Sequence, residues 1–316
     1  MTDQQTVADA GEFGLIELVT SGLPSSAAVS VGPGDDAAVF TVAGASVCSV
    51  DTIVEGVHFR RDWYTADEVG RRAVAQAAAD LEAMGAEPVA AVVSLSVPGD
   101  LALDWAADCG RGVAAECERA GLVLIGGDTT RSRDVTIGVT VLGQLSGRAP
   151  VTRAGARPGD VVAMRGRLGW SAAGLAVLGR GFRSPRAVVA AHKVPEVPYG
   201  QGLVAAAAGA SAMIDISDGL LADLGHIARL SEVSIDVETA RLVVDEPLRV
   251  VAAAIGGDPM TFVLTGGEDH ALAATFAAPD VPPGWSVIGR VAQGEPGVTV
   301  DGQAWSQAPG YRHFGR

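Results

Sequence analysis

The sequence predicts a protein of the α+β class that is built from two domains. Its 316 residues are 48% apolar and 19% charged, which excludes a disordered chain and allows one or two sizeable cores. Short apolar runs typical of strands alternate with helical patterns along the whole chain. Turn-forming and basic residues fill Gly147 to Asp160, where a boundary would interrupt little packing. We therefore predict domains over residues 1–150 and 151–316.

In the first domain the apolar pattern begins with a short helix over 11–20 and a hairpin formed by the runs 37–42 and 46–51. A capping box at Thr65 to Glu68 opens an Ala-rich helix that should end at Gly85, which places Asp80 in its last turns. A helix over 101–120 and strands over 88–97, 122–125 and 135–145 complete this half.

In the second domain we expect a strand over 161–164, helices near 171–178 and 200–208, and a strand-turn-helix unit over 212–230. Further strands should lie around Ser234, Thr261, Ala271, Val287 and Val298. Both halves thus mix strands with helices.

Charge and composition exclude several functional classes. The 23 basic and 37 acidic residues give a net charge of −14, which argues against a nucleic-acid or membrane partner. Lys193 is the only lysine, so neither a Walker motif nor a protein-kinase lysine has a candidate. Without a signal sequence or a long apolar run, we expect a cytoplasmic protein. Its three cysteines, Cys48, Cys109 and Cys117, are expected to be reduced packing residues.

Five acidic segments follow apolar runs, where we expect strands to end. Several carboxylates can share such a rim only with cations among them, because two like charges ~4 Å apart cost about 4 kcal/mol at an effective dielectric of ~20. Oxygen ligands favour Mg²⁺. Taken singly, each segment is more often a solvated turn, and Ser217 could simply cap the helix that follows it. The segments are Gly34-Asp35-Asp36, Ser49-Val50-Asp51-Thr52, Gly126-Gly127-Asp128-Thr129, Asp215-Ile216-Ser217-Asp218-Gly219 and Gly266-Gly267-Glu268-Asp269.

Asp80 is harder to explain as a solvated residue. A carboxylate near the end of a helix opposes the helix dipole, and the neighbouring Ala77, Ala78, Ala79 and Leu81 indicate a buried environment. A bound cation would remove both penalties.

The order and the amino-acid sequences of these segments resemble those of the thiamine-monophosphate kinase family, which belongs to the aminoimidazole ribonucleotide synthetase-like superfamily. The resemblance covers nearly the whole chain. The resemblance implies two α+β domains, with the active site in the cleft between them and the N-terminal sheet pairing with that of a second subunit in a homodimer. Further matching segments are Gly11-Glu12-Phe13, Gly56-Val57-His58-Phe59, Asp80 to Ala86, Thr152 to Asp160, Ser171 to Leu175 and Gly310 to Phe314.

The same resemblance implies ATP-dependent phosphorylation of thiamine monophosphate to thiamine diphosphate, assisted by several Mg²⁺ ions. The implied metal ligands are Asp36, Ser49, Asp51, Asp80, Asp128, Asp215 and Asp218. Gly127, Asp128, Arg153 and Ser217 fall on the ATP side, and His58, Glu268 and Tyr311 face thiamine phosphate. Asp128, Arg153 and Asp218 are the implied catalytic residues.

The expected mechanism is direct in-line attack by the acceptor phosphate on ATP, without a phospho-enzyme. The acceptor oxygen is ionised near neutral pH, since its second pKa is about 6, so no strong general base is required. Two departures from the family pattern, Val50 and Ala77 to Ala79, lead us to expect altered metal affinity.

Two alternatives remain open at this stage. The first is another member of the superfamily, such as a cyclase, a selenophosphate-forming enzyme or a hydrogenase-maturation dehydratase. The last two of these enzymes would need a cysteine that residues 1–47 and 118–316 lack. The other is a non-catalytic metal- or nucleotide-sensing module, in which His58, Glu268 and Tyr311 would have no task.

Overall fold

The computed structural model describes residues 5–33 and 37–311. The chain forms two compact units, of which the first comprises Met1–Leu81 with Glu87–Arg148 and the second comprises Glu82–Ala86 with Ala149–Arg316. Each unit combines helices with a sheet, which confirms the predicted α+β class.

The first unit is built on a four-stranded sheet in the order β3-β6-β4-β5, in which only β4 and β5 are parallel. Alternate residues of a strand face opposite sides, so Ser49, Asp51 and the buried Ile53 share one face of β3. The elements of this unit are α1 (Val7–Thr20), β1 (Val29–Val31), β2 (Val39–Phe40), β3 (Ser46–Val54), α2 (Ala66–Ala83), β4 (Glu87–Val97), α3 (Leu103–Ala120), β5 (Val123–Arg131) and β6 (Thr136–Gln144).

The predicted start and end of α2 are confirmed. Thr65 and Glu68 form the reciprocal capping box, with the Thr65 N–H donating to Glu68 Oε2 at 2.8 Å and the Glu68 N–H donating to Thr65 Oγ1 at 3.3 Å. Gly85 adopts a left-handed conformation just beyond the helix end. The last two helical residues, Glu82 and Ala83, group with the second unit.

The predicted hairpin over 37–42 and 46–51 is wrong. β2 pairs with β1, whereas β3 pairs with β6 through nine residues from Ser46 to Val54. The long ladder with a distant strand satisfies more backbone groups than a local hairpin would. The short run at 37–42 instead packs its apolar side chains, including Phe40, against Ala90 and Ile125.

The second unit contains a seven-stranded sheet in the order β13-β12-β9-β11-β7-β10-β8, in which only the β9–β12 pair is parallel. Every residue of β8 and β10 is buried, so these two strands lie in the core. The elements are β7 (Val161–Arg165), α4 (Trp170–Leu178), α5 (Arg186–Lys193), α6 (Gln201–Ala207), β8 (Ala212–Ile216), α7 (Leu220–Ser231), β9 (Ser234–Val237), α8 (Glu246–Ile255), α9 (Pro259–Thr265), β10 (Ala271–Phe276), β11 (Ser286–Ala292), β12 (Gly297–Val300) and β13 (Gln303–Ala304).

The strand predicted around Thr261 is wrong, because this segment forms α9. Asp258 caps the helix by accepting the Met260 N–H, and Pro259 occupies the start of the helix, where its missing N–H costs nothing. Helices α5 and α8 were not predicted.

The cysteines differ in exposure. Cys109 and Cys117 are buried, which raises the pKa of each thiol to about 12, as expected for packing residues. Cys48 is exposed, so its assignment as a packing residue is wrong.

Among the described residues, no single helix has the length and apolar character needed to cross a bilayer. Helices α8 and α9 pass that test only as a pair, and the chain bends by 113° between them.

Candidate active site

Three predicted oxygen ligands lie together in the first unit. Ser49 and Asp51 face the same side of β3, and the Ser49 hydroxyl donates to Asp80 Oδ2 of α2 at 2.5 Å. Ala77, Ala78 and Ala79 are all buried, as the sequence indicated for the surroundings of Asp80. Strand β3 and helix α2 therefore hold a hydroxyl and two carboxylates on one face of the sheet.

Gly127 and Asp128 lie inside β5, so the prediction that they occupy a turn after the strand is wrong. A Cβ added to Gly127 would lie 2.1 Å from the Val93 carbonyl oxygen, so only glycine allows this approach of β5 to β4. Asp51 is likewise within a strand rather than at its end. Two of the five acidic segments thus place their carboxylates along the sheet.

Asp51 and Asp128 do not meet within one chain. Asp128 of β5 is paired with Ser94 of β4, Ser94 with Gly138 of β6, and Gly138 with Thr52 of β3. Residues paired in this way point to the same face of the sheet, so Asp128 shares a face with Thr52. Asp51 precedes Thr52 in the strand and therefore points to the opposite face. Strands β6 and β4 also separate them, and three strand spacings amount to about 14 Å. A single ion cannot bind both side chains of the same chain.

His58, a predicted substrate residue, lies in the loop after β3. Its Nδ1 accepts the Val54 N–H at 3.0 Å, which orients the ring and leaves the proton of a neutral imidazole on Nε2. Asp36, predicted as a metal ligand, lies outside the described residues.

In the second unit, the structure brings Asp215, Ser217 and Glu268 together. The loop before β10 runs alongside the end of β8, where the Glu268 N–H donates to the Ser217 carbonyl at 2.7 Å. His270 Nδ1 lies 3.0 Å from Asp215 Oδ2, and both side chains are buried. Glu268 has a φ of 67°, a left-handed conformation uncommon for this residue type.

The C-terminal segment brings Tyr311 to Asp218. The Tyr311 N–H donates to the Asp218 carbonyl at 2.9 Å. A Cβ on Gly310 would lie 2.4 Å from the same oxygen, so the close approach requires glycine. Asp218 and Tyr311 both line a pocket of about 540 Å³, which is formed by α7 and the segment 304–311.

Asp223 performs the role that the sequence suggested for Ser217. The start of α7 has no side-chain cap from Ser217; instead, Asp223 Oδ2 accepts the N–H groups of Asp218 and Gly219, each at 3.0 Å. Burial, together with the negative charge of Asp215, raises the pKa of Asp223 to about 7. The sequence feature that could have identified this role is the position of Asp223 in the first turn of a helix that follows a Gly-rich loop.

Asp269 is a second buried carboxylate whose role the sequence did not reveal. It accepts the N–H groups of Gly169 and Ser171, at 2.5 and 2.7 Å, at the start of α4. Burial raises the pKa of Asp269 to about 7 despite these hydrogen bonds. This carboxylate ties the loop that carries Glu268 to a neighbouring helix.

Glu82 has a similar anchoring role near the end of α2. It is buried, and its two carboxylate oxygens accept the N–H groups of Gly200 and Gly202, each at 2.7 Å. Its carboxylate thus fixes the start of α6.

Residues 34–145 match the family model described as AIR synthase related protein, N-terminal domain. The fold and the acidic site therefore define a member of the AIR synthase-related class. The thiamine-monophosphate kinase of Mycobacterium tuberculosis is 46% identical over 316 residues, which cover 99% of this chain and 95% of that protein.

Solved structures give the same result. A thiamine-monophosphate kinase from Stenotrophomonas maltophilia is 33% identical, with a TM-score of 0.80 over 89% of this chain and 93% of that one. The structure described as AaThiL complexed with AMPPCP and TMP is 30% identical, with a TM-score of 0.78 over 99% and 100% of the two chains. The chain belongs to the thiamine-monophosphate kinase family. The predicted family, enzyme class and fold are confirmed.

Proposed function

We propose that the protein transfers the γ-phosphoryl group of ATP to thiamine monophosphate, which yields thiamine diphosphate and ADP. The observation that carries the proposal is the meeting of candidate nucleotide and substrate residues at the end of β8, where Glu268 bonds to Ser217 and Tyr311 bonds to Asp218. The relative with AMPPCP and TMP supports the same pair of substrates.

The reaction needs two anions to be held together rather than a strong base. An ionised oxygen of the acceptor phosphate attacks the γ-phosphorus as the bond to the β,γ-bridging oxygen breaks, and ADP leaves with those electrons. Arg153 contributes a fixed positive charge on the ATP side. Glu268 complements the cationic thiazolium or accepts from the aminopyrimidine, and Tyr311 offers a ring face.

The donor set is suited to Mg²⁺ because it consists of oxygens. Ser49, Asp51, Asp80, Asp128, Asp215 and Asp218 would hold the ions, together with Asp36, and bound Mg²⁺ would neutralise the phosphate charge. Within residues 5–33 and 37–311, no three His, Cys, Asp or Glu side chains group closely enough to hold a metal. Phosphate oxygens of the substrates would therefore complete the coordination.

We also propose a homodimer in which the N-terminal sheets pair. Val50 is 65% exposed on β3, which is an edge strand of its sheet; in the described part of the chain, this apolar side chain and the outer backbone edge of β3 are left uncovered. In such a dimer, a carboxylate of the second copy would complete the pair that Asp51 and Asp128 of one chain cannot form.

Val50→Asp should yield monomers by sedimentation analysis, whereas Val243→Asp, at a 73% exposed position of the second unit, should not. An unchanged mass for Val50→Asp would contradict this arrangement.

A product assay tests the activity directly. The protein is incubated with Mg-ATP and either thiamine monophosphate, thiamine or an aminoimidazole precursor, and the products are separated by chromatography. We expect conversion of thiamine monophosphate; conversion of the precursor alone would refute the substrate assignment.

Asp128→Asn should lower turnover at least about tenfold if this carboxylate holds a metal beside the phosphates. The exposed Asp134, in the same unit, provides the matched control as Asp134→Asn. Equal turnover by the two variants would exclude the role of Asp128.

The absence of nucleic-acid and membrane partners and a cytoplasmic location remain predictions from the net charge of −14 and the sequence pattern.

A further inference from the structure

One wall of the pocket beside Asp218 carries basic side chains to which the proposed reaction assigns no role. Its volume is about 540 Å³, and its lining includes Ala222, Gly225, His226 and Arg229 of α7. These residues recur at spacings of three and four, so they lie along one face of the helix. The small side chains leave the space open near Asp218, and the basic ones lie further along α7.

Arg229 and His226 are held in a defined arrangement. Arg229 Nη2 donates to His226 Nδ1 at 2.8 Å, because a guanidinium has no acceptor atom. His226 must then be neutral, with its proton on Nε2. Burial is the main cause of a lowered pKa for His226, and Arg229 and Arg153 lower it further while Asp218 partly opposes them, so the net direction agrees with this protonation state. The imidazole thus orients the guanidinium and retains an N–H donor of its own.

Among the described residues, neither Arg153 nor Arg229 forms an ion pair with a carboxylate, although the chain carries a net charge of −14. Arg229 lines the pocket, and an anionic group bound there would pair with its guanidinium. This wall of the pocket therefore suits the anionic part of a ligand, while the Asp218 carboxylate in the same lining is one of the proposed metal ligands.

We propose that Arg229 is a further phosphate-binding residue for the nucleotide, and that His226 is the residue that positions it. This proposal rests on the proposed function, which assigns Arg153 to the ATP side; the Arg153 carbonyl accepts the Ser231 hydroxyl at 3.2 Å, two residues from Arg229 at the end of α7. ATP is favoured over thiamine monophosphate because its triphosphate carries more negative charge, and a guanidinium can bind phosphate oxygens in a bidentate manner.

The test measures nucleotide binding without turnover. In titration calorimetry with Mg-AMPPCP, Arg229→Gln should bind about tenfold more weakly than the unmodified protein, since it loses a charge-assisted contact. Arg229→Lys should give an intermediate affinity, because it keeps the charge but loses the planar fork. Arg180→Gln is the matched control and should bind normally, because the exposed Arg180 guanidinium donates to the Ala176 carbonyl of its own helix turn.

The positioning role of His226 needs a readout that folding alone would not change. His226→Asn retains an acceptor near Nδ1 and should keep the AMPPCP affinity within about threefold, whereas His226→Leu should lose about tenfold, as Arg229→Gln does. In steady-state assays, Arg229→Gln and His226→Leu should raise KM for ATP and leave KM for thiamine monophosphate within about twofold. The pair His226→Asn and His226→Leu also decides the matter if Arg229→Gln fails to fold.

Two results would overturn the assignment. Normal AMPPCP affinity in folded Arg229→Gln would exclude a phosphate contact, and a raised KM for thiamine monophosphate with normal AMPPCP binding would place Arg229 on the other substrate. Failure of the proposed function looks different: the unmodified protein would then bind AMPPCP without phosphorylating thiamine monophosphate.

Discussion

The buried carboxyl of Asp269 should make the stability of this protein depend on pH in a way that one substitution abolishes. Its pKa rises from an ordinary value of 3.8 to about 7, chiefly because burial disfavours the charged form. The folded state therefore binds a proton at this site between about pH 4 and pH 7, where the unfolded state has released it. The contribution of Asp269 to the free energy of unfolding falls as pH rises through that window.

The size of the effect follows from the two pKa values. A difference of about 3 pH units, at about 1.36 kcal/mol per unit, sets an upper limit of about 4 kcal/mol. Asp269→Asn cannot titrate, so this part of the pH dependence disappears. The variant also turns an amide donor toward one of the two backbone N–H groups that Asp269 accepts, which costs about 1–3 kcal/mol at every pH.

Urea unfolding of both proteins at pH 5, 6, 7 and 8 measures the difference. We expect the stability deficit of Asp269→Asn to be largest at pH 5 and to shrink by about 2–3 kcal/mol toward pH 8, with the exposed Asp280→Asn as a control that shows no such trend. A deficit that stays constant within about 0.5 kcal/mol across this range would refute a raised pKa for Asp269.

Three further substitutions test the contacts that position the site. Glu82→Ala leaves two backbone N–H groups without the acceptors they had at 2.7 Å, so the free energy of unfolding should fall by about 2–6 kcal/mol, and a loss below about 1 kcal/mol in urea would contradict the anchoring role. Gly127→Ala places a Cβ 2.1 Å from a carbonyl oxygen of β4 and should cost about 1–3 kcal/mol in the same measurement; an unchanged midpoint would show that the strands can separate freely. Gly310→Ala, with its Cβ 2.4 Å from the Asp218 carbonyl oxygen, should raise KM for thiamine monophosphate about tenfold while unfolding changes little, and normal kinetics would remove the terminal segment from the site.

Elements with strong local features could be predicted from the sequence, and those that depend on distant partners could not. The capping box at Thr65 and the glycine stop at Gly85 defined α2 to within about two residues, because both act on adjacent backbone groups. The hairpin prediction failed because β3 finds its ladder partner in β6, about 90 residues away. Pro259 and Asp258 marked the start of α9, but the apolar residues that follow them also suit a strand.

The order of the acidic and Gly-rich segments was enough to identify the family and the oxygen-rich character of the candidate site. How those segments are arranged depends on long-range packing, because hydrogen bonds such as those from Glu268 to Ser217 and from Tyr311 to Asp218 join residues far apart in the chain. The same packing places Asp51 and Asp128 on opposite faces of one sheet and buries Asp269 enough to raise its pKa, since pleat and burial follow from strand pairing rather than from local sequence.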